Sequence, residues 1–306
     1  MPTSRPYHLS WLCDRVLQLK PKSILDVGVG FGTKGMLFRE YTDVWNGDYF
    51  DWKVRIDGVE IFDKYITPLQ KGIYDHIYKG NILDVIDTLG YYDLIYMGDV
   101  IEHLTKEEGL ELLRKLKLRC KNLVIVTPVE VSVQGDIYDN KNEAHLSEWS
   151  SNDFGKSVEV ITLGNSMIVN WQKPCVYYCD GMKFYGERLR RMGFEEYNPT
   201  RPTLFLGLYF DEDYRIFRDH LGKRYVFWNG SDVTRMLSVW QWKTIVQGTD
   251  AVHICHNEQL RKELATAGID ALVEPIFFGD INSYKPSFKP KEQLEVYVNA
   301  HKMRED

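Results

Sequence analysis

The sequence predicts an α/β chain: a mostly parallel sheet covered by helices on both faces and ending in an antiparallel hairpin, with a second, smaller parallel α/β unit after it. Three observations predict this. Short apolar runs bounded by Gly, Asp and Pro alternate with amphipathic helical patterns from Leu9 onward, as crossover connections between parallel strands require. One of those runs leads straight into a glycine-rich loop and another helical pattern. A fresh alternation starts near Thr203, and a length of 306 residues leaves room for two domains or one large one.

In chain order, Leu9 to Leu19 is an opening helix. Strand-like runs follow at Ser23 to Val29, Arg55 to Ile61, His76 to Gly80, Asp93 to Gly98 and Asn122 to Pro128, with helical patterns at Gly32 to Tyr41, Thr67 to Lys71 and Lys106 to Cys120 between them. In the last of these, Leu110, Leu113, Leu116 and Leu118 are spaced to form an apolar face. Val158 to Leu163 and Met167 to Trp171, separated by Gly164, Asn165 and Ser166, read as the hairpin, so the first domain is expected to span residues 1–172. Residues 173–202 mix charges, Tyr, Gly and Pro around a short helical run, Gly186 to Met192, and read as a linker. The second unit, 203–306, alternates Leu204 to Phe210 (strand), Tyr214 to Leu221 (helix), Arg224 to Trp228 (strand), Val233 to Val246 (helix), Ala251 to Cys255 (strand), Glu258 to Ala267 (helix) and Ala271 to Phe277 (strand). A Lys- and Pro-rich tail from Gly279 then carries one more strand-like run, Leu294 to Asn299.

Composition excludes several classes. Hydrophobic residues at 44% and charged residues at 27% describe a globular chain rather than a disordered or fibrous one. A net charge of −6, with no Lys/Arg stripe interleaved with aromatics, argues against a nucleic-acid partner. No apolar segment is long enough for a membrane span or a secretory leader, and the odd, sparse set of 5 cysteines argues against a disulfide framework, so a soluble, cytoplasmic protein is expected. The aromatic fraction, 13% with 19 Tyr and 8 Trp, hints at a sugar or aromatic ligand.

The sharpest local signal is Ile24-Leu-Asp-Val-Gly-Val-Gly-Phe-Gly-Thr33, a buried strand running into a Gly-x-Gly-x-Gly loop. Glycines let backbone approach a ligand closely and present amides at a helix N-terminus. Thr33 stands where a dinucleotide fingerprint needs its third glycine, which weakens a nicotinamide reading. Asp26 ahead of the loop repels a pyrophosphate and suits a ligand with an ammonium and hydroxyls at this end.

These residues resemble the first motif of the class I S-adenosylmethionine-dependent methyltransferases, and the resemblance covers about residues 10–172. It implies a Rossmann-like seven-stranded methyltransferase sheet with an antiparallel hairpin, with S-adenosyl-L-methionine as cofactor and S-adenosyl-L-homocysteine as product. Asp26, Gly28, Gly30 and Gly32 then hold the cofactor's amino-acid end; Glu60, followed by Ile61 at the end of the second strand, accepts both ribose hydroxyls; Asn81 and Ile82 meet adenine, Asn81 standing where the family commonly has Asp. Between Asp26 and Glu60 lies an aromatic insertion, Tyr41 to Lys53, expected near the cofactor and acceptor edge. The fourth motif runs from Tyr92 through Gly98 to Asp99-Val-Ile-Glu-His-Leu104, similar to a large subgroup of small-molecule and sugar O-methyltransferases, and the resemblance implies that Gly98 and Asp99 also meet the cofactor.

Methyl transfer to a hydroxyl needs a positioned nucleophile and a base, and neutral His is the best base near pH 7. His103, just past the fourth strand, is the first candidate, and His145 in Asn142-Glu-Ala-His-Leu-Ser-Glu-Trp149 the second. Some members of the resembling subgroup bind a divalent metal through a cluster with the spacing of Asp99, Glu102 and His103; a salt-bridged helix start accounts for the same residues, and both readings stay open. Tyr96, Tyr138 and Trp149 offer a stacking wall for a sugar ring, or core and lid packing.

Residues 203–306 resemble, more loosely, the N-terminal half of a GT-B glycosyltransferase, carried by Thr249-Asp-Ala-Val-His-Ile-Cys-His-Asn-Glu and the helix and Gly-Ile turn that follow. Asp232, His253 and His256 are its site candidates. The expected function is methylation of a saccharide or glycan-precursor acceptor by a chain fused to a glycosyltransferase-like unit. The alternative is a scaffold protein whose methyltransferase-like domain is not catalytic.

Overall fold

The computed structural model describes residues 5–49, 51–130, 140–155 and 158–274. Tyr138, the end of the Ala271 to Phe277 run and the tail with Leu294 to Asn299 lie outside the described residues.

The first sheet contains β1 (Ser23–Val27), β2 (Arg55–Glu60), β3 (His76–Lys79), β4 (Tyr92–Gly98), β5 (Cys120–Pro128), β6 (Glu159–Leu163) and β7 (Ser166–Gln172), in the order β3-β2-β1-β4-β5-β7-β6. β1 pairs in parallel with β2 and β4, β2 with β3, and β4 with β5; β7 is antiparallel to both β5 and β6. This is the Rossmann-like sheet with a terminal hairpin that the motif order implies. Its helices are α1 (Leu9–Leu19), α2 (Thr33–Thr42), α3 (Pro68–Ile73), α4 (Ile82–Val85) and α5 (Lys106–Leu118).

Side chains alternate across the sheet and build a core on each face. Leu25, Val27, Ile95, Met97, Leu123 and Ile125 point to the face that also buries Leu112 and Leu116 of α5. Ile24, Ile56, Leu94 and Val124 point to the other, with Leu12 and Val16 of α1 and Phe38 of α2. Because both faces are covered, the strands read in sequence as continuous apolar runs.

α5 starts at a reciprocal cap: Glu108 donates its amide to Thr105 Oγ1 (3.3 Å), and Glu108 Oε2 accepts from the Thr105 amide (3.0 Å). Its buried face is Gly109, Leu112, Leu113 and Leu116, whereas Leu110 is 45% and Leu118 66% exposed, so the expected face is rotated. The cause is Trp149, whose ring packs where a Gly109 side chain would be: a Cβ there would lie 2.4 Å from Trp149 Cζ2. Gly109→Val is expected to lower stability by about 1–3 kcal/mol through overpacking, seen as a lower Tm in thermal unfolding.

The aromatic insertion is also corrected. It leads into the start of β2, at the amino edge of the sheet, whereas the glycine loop leaves the carboxyl end of β1. There Arg39, 2% exposed, donates to the Ile73 carbonyl (2.9 Å), Asp43 (3.1 Å) and Asp75 (2.8 Å), and its guanidinium lies 4.4 Å from the Trp52 ring centroid. These contacts tie the insertion to the sheet, far from any ligand-binding role at the carboxyl edge.

The second sheet contains β8 (Cys175–Tyr177), β9 (Glu195–Glu196), β10 (Thr203–Leu206), β11 (Arg224–Trp228), β12 (Val252–Cys255) and β13 (Ala271–Val273), in the order β13-β12-β11-β10-β8-β9. β11, β12 and β13 are parallel neighbours. Its helices are α6 (Lys183–Arg191), α7 (Asp211–Asp219), α8 (Ser231–Ser238), α9 (Trp240–Gln247) and α10 (Glu258–Thr266). Residues 173–202 are therefore not a plain linker: β8, α6 and β9 belong to this unit, and Val176 and Leu189 sit in one core with Leu204, Leu206 and Phe227. β8 is only three residues long, too short to show a period, and Tyr177 at its end donates to Asp213 (2.8 Å). The helix expected from Val233 to Val246 is two helices, broken at Val239, whose backbone is extended; Ser238 turns its hydroxyl back to the Arg235 carbonyl (2.8 Å) at the break.

The chain divides into two compact units, the first reaching Cys175 with Tyr197–Thr203 and Leu221–Lys223, the second made of Val176–Glu196, Leu204–His220 and the chain from Arg224. All 5 cysteines are free thiols. Among the described residues no helix is long and apolar enough to cross a membrane.

Candidate active site

The carboxyl edge of the first sheet holds a cleft whose floor is the glycine loop. Gly28, Gly30 and Gly32 have φ of 84°, 51° and 83°, the left-handed region that side chains disfavour. A Cβ on Gly28 would also lie 2.4 Å from Val100 Cγ2 in the turn after β4, so the loop is pinched between that turn and β2.

Glu60, the last residue of β2, is 5% exposed and anchors the loop: Gly30 donates its amide to Oε2 (2.8 Å), and Phe62 donates its amide to Oε1 (2.9 Å). Burial pushes its carboxyl above the usual range, and the two amides oppose this. Each oxygen retains a further acceptor site toward the cleft.

Of the residues expected to hold a cofactor, Gly28, Gly30, Glu60, Ile61, Asn81, Ile82, Gly98 and Asp99 all line this cleft, as does His103. Asn81 also caps α4, its Oδ1 accepting from the Leu83 amide (3.0 Å). Gly32 and Asp26 are not among the lining residues. Asp26 is fully buried behind the loop, where Tyr74 donates its hydroxyl to Oδ2 (2.5 Å), and burial raises its carboxyl to about 7. It lies behind the loop and outside the cleft lining.

His103 sits on the short turn after β4, with its Nδ1 3.1 Å from the Ala144 carbonyl. A carbonyl only accepts, so Nδ1 carries the proton and Nε2 keeps its lone pair. Burial lowers the His103 pKa, which keeps the ring neutral at pH 7. The ring centroid of His145 is 5.0 Å away. Close to both is Glu102, buried, accepting from the Thr127 hydroxyl (3.1 Å); burial and then the nearby Asp99 hold its carboxyl well above the usual range. Ligand atoms of Glu102, His103 and His145 lie within 4.8 Å of one another, so one carboxylate and two imidazoles fit a divalent cation. This set replaces the expected Asp99 by His145.

Sequence reasoning missed Lys34, Tyr65, Asn140, Asn142 and Glu143, all lining the cleft. Glu143 Oε1 accepts the Tyr65 hydroxyl (3.0 Å) across 78 positions of sequence. The only available signal was the polar run around His145. That segment is tied down where the Glu102 carbonyl accepts the Leu146 (2.8 Å) and Ser147 (3.1 Å) amides.

Of the three rings offered as a stacking wall or as core and lid packing, two are described. Trp149 is buried against Gly109 and Phe154, with the Lys106 ammonium 4.0 Å from its ring centroid. Tyr96 is 1% exposed, its hydroxyl 3.0 Å from His8 Nε2. Trp149 is a core residue, whereas Tyr96 is buried and also borders the cleft. In the second unit Asp232 closes the β11 to α8 turn, its Oδ1 accepting from the amides of Asn229 (3.0 Å), Gly230 (2.8 Å) and Val233 (3.0 Å). His253 accepts from the Trp228 indole (3.2 Å), burial lowering it to about 4, and His256 packs against Phe227.

No family model and no curated protein matches the chain. Solved structures similar to it include an O-methyltransferase family protein from Burkholderia thailandensis (16% identity, TM-score 0.39, 55% of this chain and 57% of that one) and PigF with SAH (16%, 0.37, 53% and 60%). The N-terminal domain of EvdMO1, in the presence of SAH and D-fucose, is similar at 11% identity and a TM-score of 0.39, covering 55% of this chain and 82% of that one. The chain thus spans less than two thirds of the length of the first two, and at these TM-scores the likenesses do not bear on what it does.

Proposed function

We propose that this chain is a cytoplasmic S-adenosylmethionine-dependent methyltransferase that methylates a hydroxyl of a small-molecule acceptor, a saccharide or glycan precursor. The observation that carries the proposal is Glu60: a carboxylate closing β2, fixed by the Gly30 and Phe62 amides and lining the cleft beside a glycine loop. A rigid two-oxygen acceptor at that place matches a ribose diol. Ile61 and Ile82 supply apolar flanks for adenine, with Asn81 beside them. The cofactor would supply an electrophilic methyl on a sulfonium and leave as S-adenosylhomocysteine.

His103 Nε2, neutral and unprotonated, takes the acceptor hydroxyl proton as attack proceeds, and the Nδ1 proton on the Ala144 carbonyl holds the ring in that tautomer. Glu143, Asn140 and Asn142 line the same cleft and offer the carboxylate and amides that bind neighbouring hydroxyls of a polyol, which supports a saccharide. With labelled cofactor and a panel of mono- and oligosaccharides, a labelled methyl ether is expected. Transfer to a non-saccharide alcohol alone would remove the saccharide and leave the methyltransferase.

The Glu102, His103 and His145 cluster favours a second reading of the base, in which these residues hold a divalent cation that lowers the acceptor's pKa. Purified protein is then expected to carry metal by elemental analysis and to lose it in His145→Ala; metal-free wild type that takes up none on addition contradicts it. For the second unit we propose a glycosyltransferase-like, acceptor-recognising role, supported by its parallel β11-β12-β13 alternation.

A further inference from the structure

Lys34 is a cation that neither the motif reading nor the transfer chemistry uses. It stands in the first turn of α2, is only 9% exposed, and lines the cleft. It is the one Lys or Arg among the described lining residues, which include the acids Glu60, Asp99 and Glu143. Within the described residues no hydrogen bond or ion pair engages its ammonium. Burial lowers its pKa, and the carboxyl groups of Asp26 behind the loop and of Asp99 oppose that.

The backbone around it is positive as well. Gly32, the N-cap of α2, is in the left-handed conformation and offers no side-chain cap; the Tyr74 hydroxyl takes the Gly35 amide, and the Thr33 and Lys34 amides ahead of it have no side-chain cap. Neither Asp26 nor Asp99 forms an ion pair with it, and a cation held this deep favours a ligand that brings an anion to the loop. A phosphate or pyrophosphate would meet Glu60, Asp99 and Glu143 with a single lysine to offset its charge. A monoanionic carboxylate on a ligand that also carries positive charge fits both signs.

Resting on the cofactor reading above, we infer that Lys34 is the counter-ion of the carboxylate at the amino-acid end of the adenosyl ligand, and that it makes the cleft prefer adenosyl amino acids over nucleosides that lack the carboxylate. The pair to compare is S-adenosylhomocysteine and its decarboxylated analogue, 5′-(3-aminopropylthio)-5′-deoxyadenosine, which keeps the ammonium. Calorimetric titration of the full chain should show wild type binding S-adenosylhomocysteine roughly tenfold to a hundredfold tighter than the analogue, the range of one charge-assisted hydrogen bond. Lys34→Met should bind the two equally, with its analogue affinity unchanged, and Lys34→Arg should keep most of the preference. Equal binding of the two ligands by wild type overturns the assignment whether or not Lys34→Met folds, and so does a wild-type preference that survives in a folded Lys34→Met. A flat wild-type titration with S-adenosylhomocysteine is a different failure, that of the cofactor reading itself, and takes this inference with it.

Discussion

His103→Ala is expected to lose about 10²- to 10⁴-fold in methyl-transfer rate, the usual contribution of a general base, while binding S-adenosylhomocysteine as tightly as wild type. The separation follows from position: His103 lines the cleft on the turn after β4, whereas the groups assigned to the cofactor's ribose and adenine are Glu60, Ile61, Asn81 and Ile82 at β2 and β3. Its pH dependence has a definite sign. The base works when neutral, and burial lowers its pKa from the ordinary imidazole value of 6.5. Rate should therefore be level around pH 7 and fall only as pH drops through a pKa below 6.5. A rate that still climbs between pH 7 and 8 in wild type, or unaltered turnover in His103→Ala, would remove the base from His103.

Glu60→Ala is expected to weaken cofactor binding by at least about a hundredfold. It removes two carboxylate acceptors for the ribose hydroxyls, each worth about 1.5–3 kcal/mol as a hydrogen bond to a charged group. It also leaves the Gly30 and Phe62 amides without the oxygens they now donate to, so the loop loses its anchor to β2. Glu60→Gln keeps one carbonyl acceptor and the side chain's length and should fall between the two. Titration of each variant with S-adenosylhomocysteine checks the order, and Glu60→Ala binding like wild type would contradict the ribose assignment.

Much of the first unit was legible because its strands are buried on both faces. Runs such as Ile24 to Val27 and Leu94 to Met97 have no polar side to confuse their period, apart from Asp26, and Asp26 is the residue whose position was misread. Local sequence shows a carboxylate ahead of a glycine loop but not the Tyr74 hydroxyl, 48 positions away, that claims it from behind. Distance in sequence also hid the polar lining. Glu143 reads as a surface residue until Tyr65 meets it, and Lys34 reads as an ordinary exposed helix lysine until the cleft encloses it. In the second unit β8 escaped notice because it is short and tyrosine-rich and its partner strand β10 comes only after α6 and β9. The aromatic excess pointed to the wrong edge: composition counts rings without placing them, and Trp52 serves Arg39 at the amino edge while Trp149 serves the core.

The claim on which everything else stands is that the glycine loop and Glu60 bind an adenosyl amino acid, and calorimetric titration of the wild-type chain with S-adenosylhomocysteine tests it most directly. Saturable heat with one site per chain, abolished or strongly weakened in Glu60→Ala, is the predicted result. No heat from the wild type under conditions where circular dichroism shows it folded would contradict it.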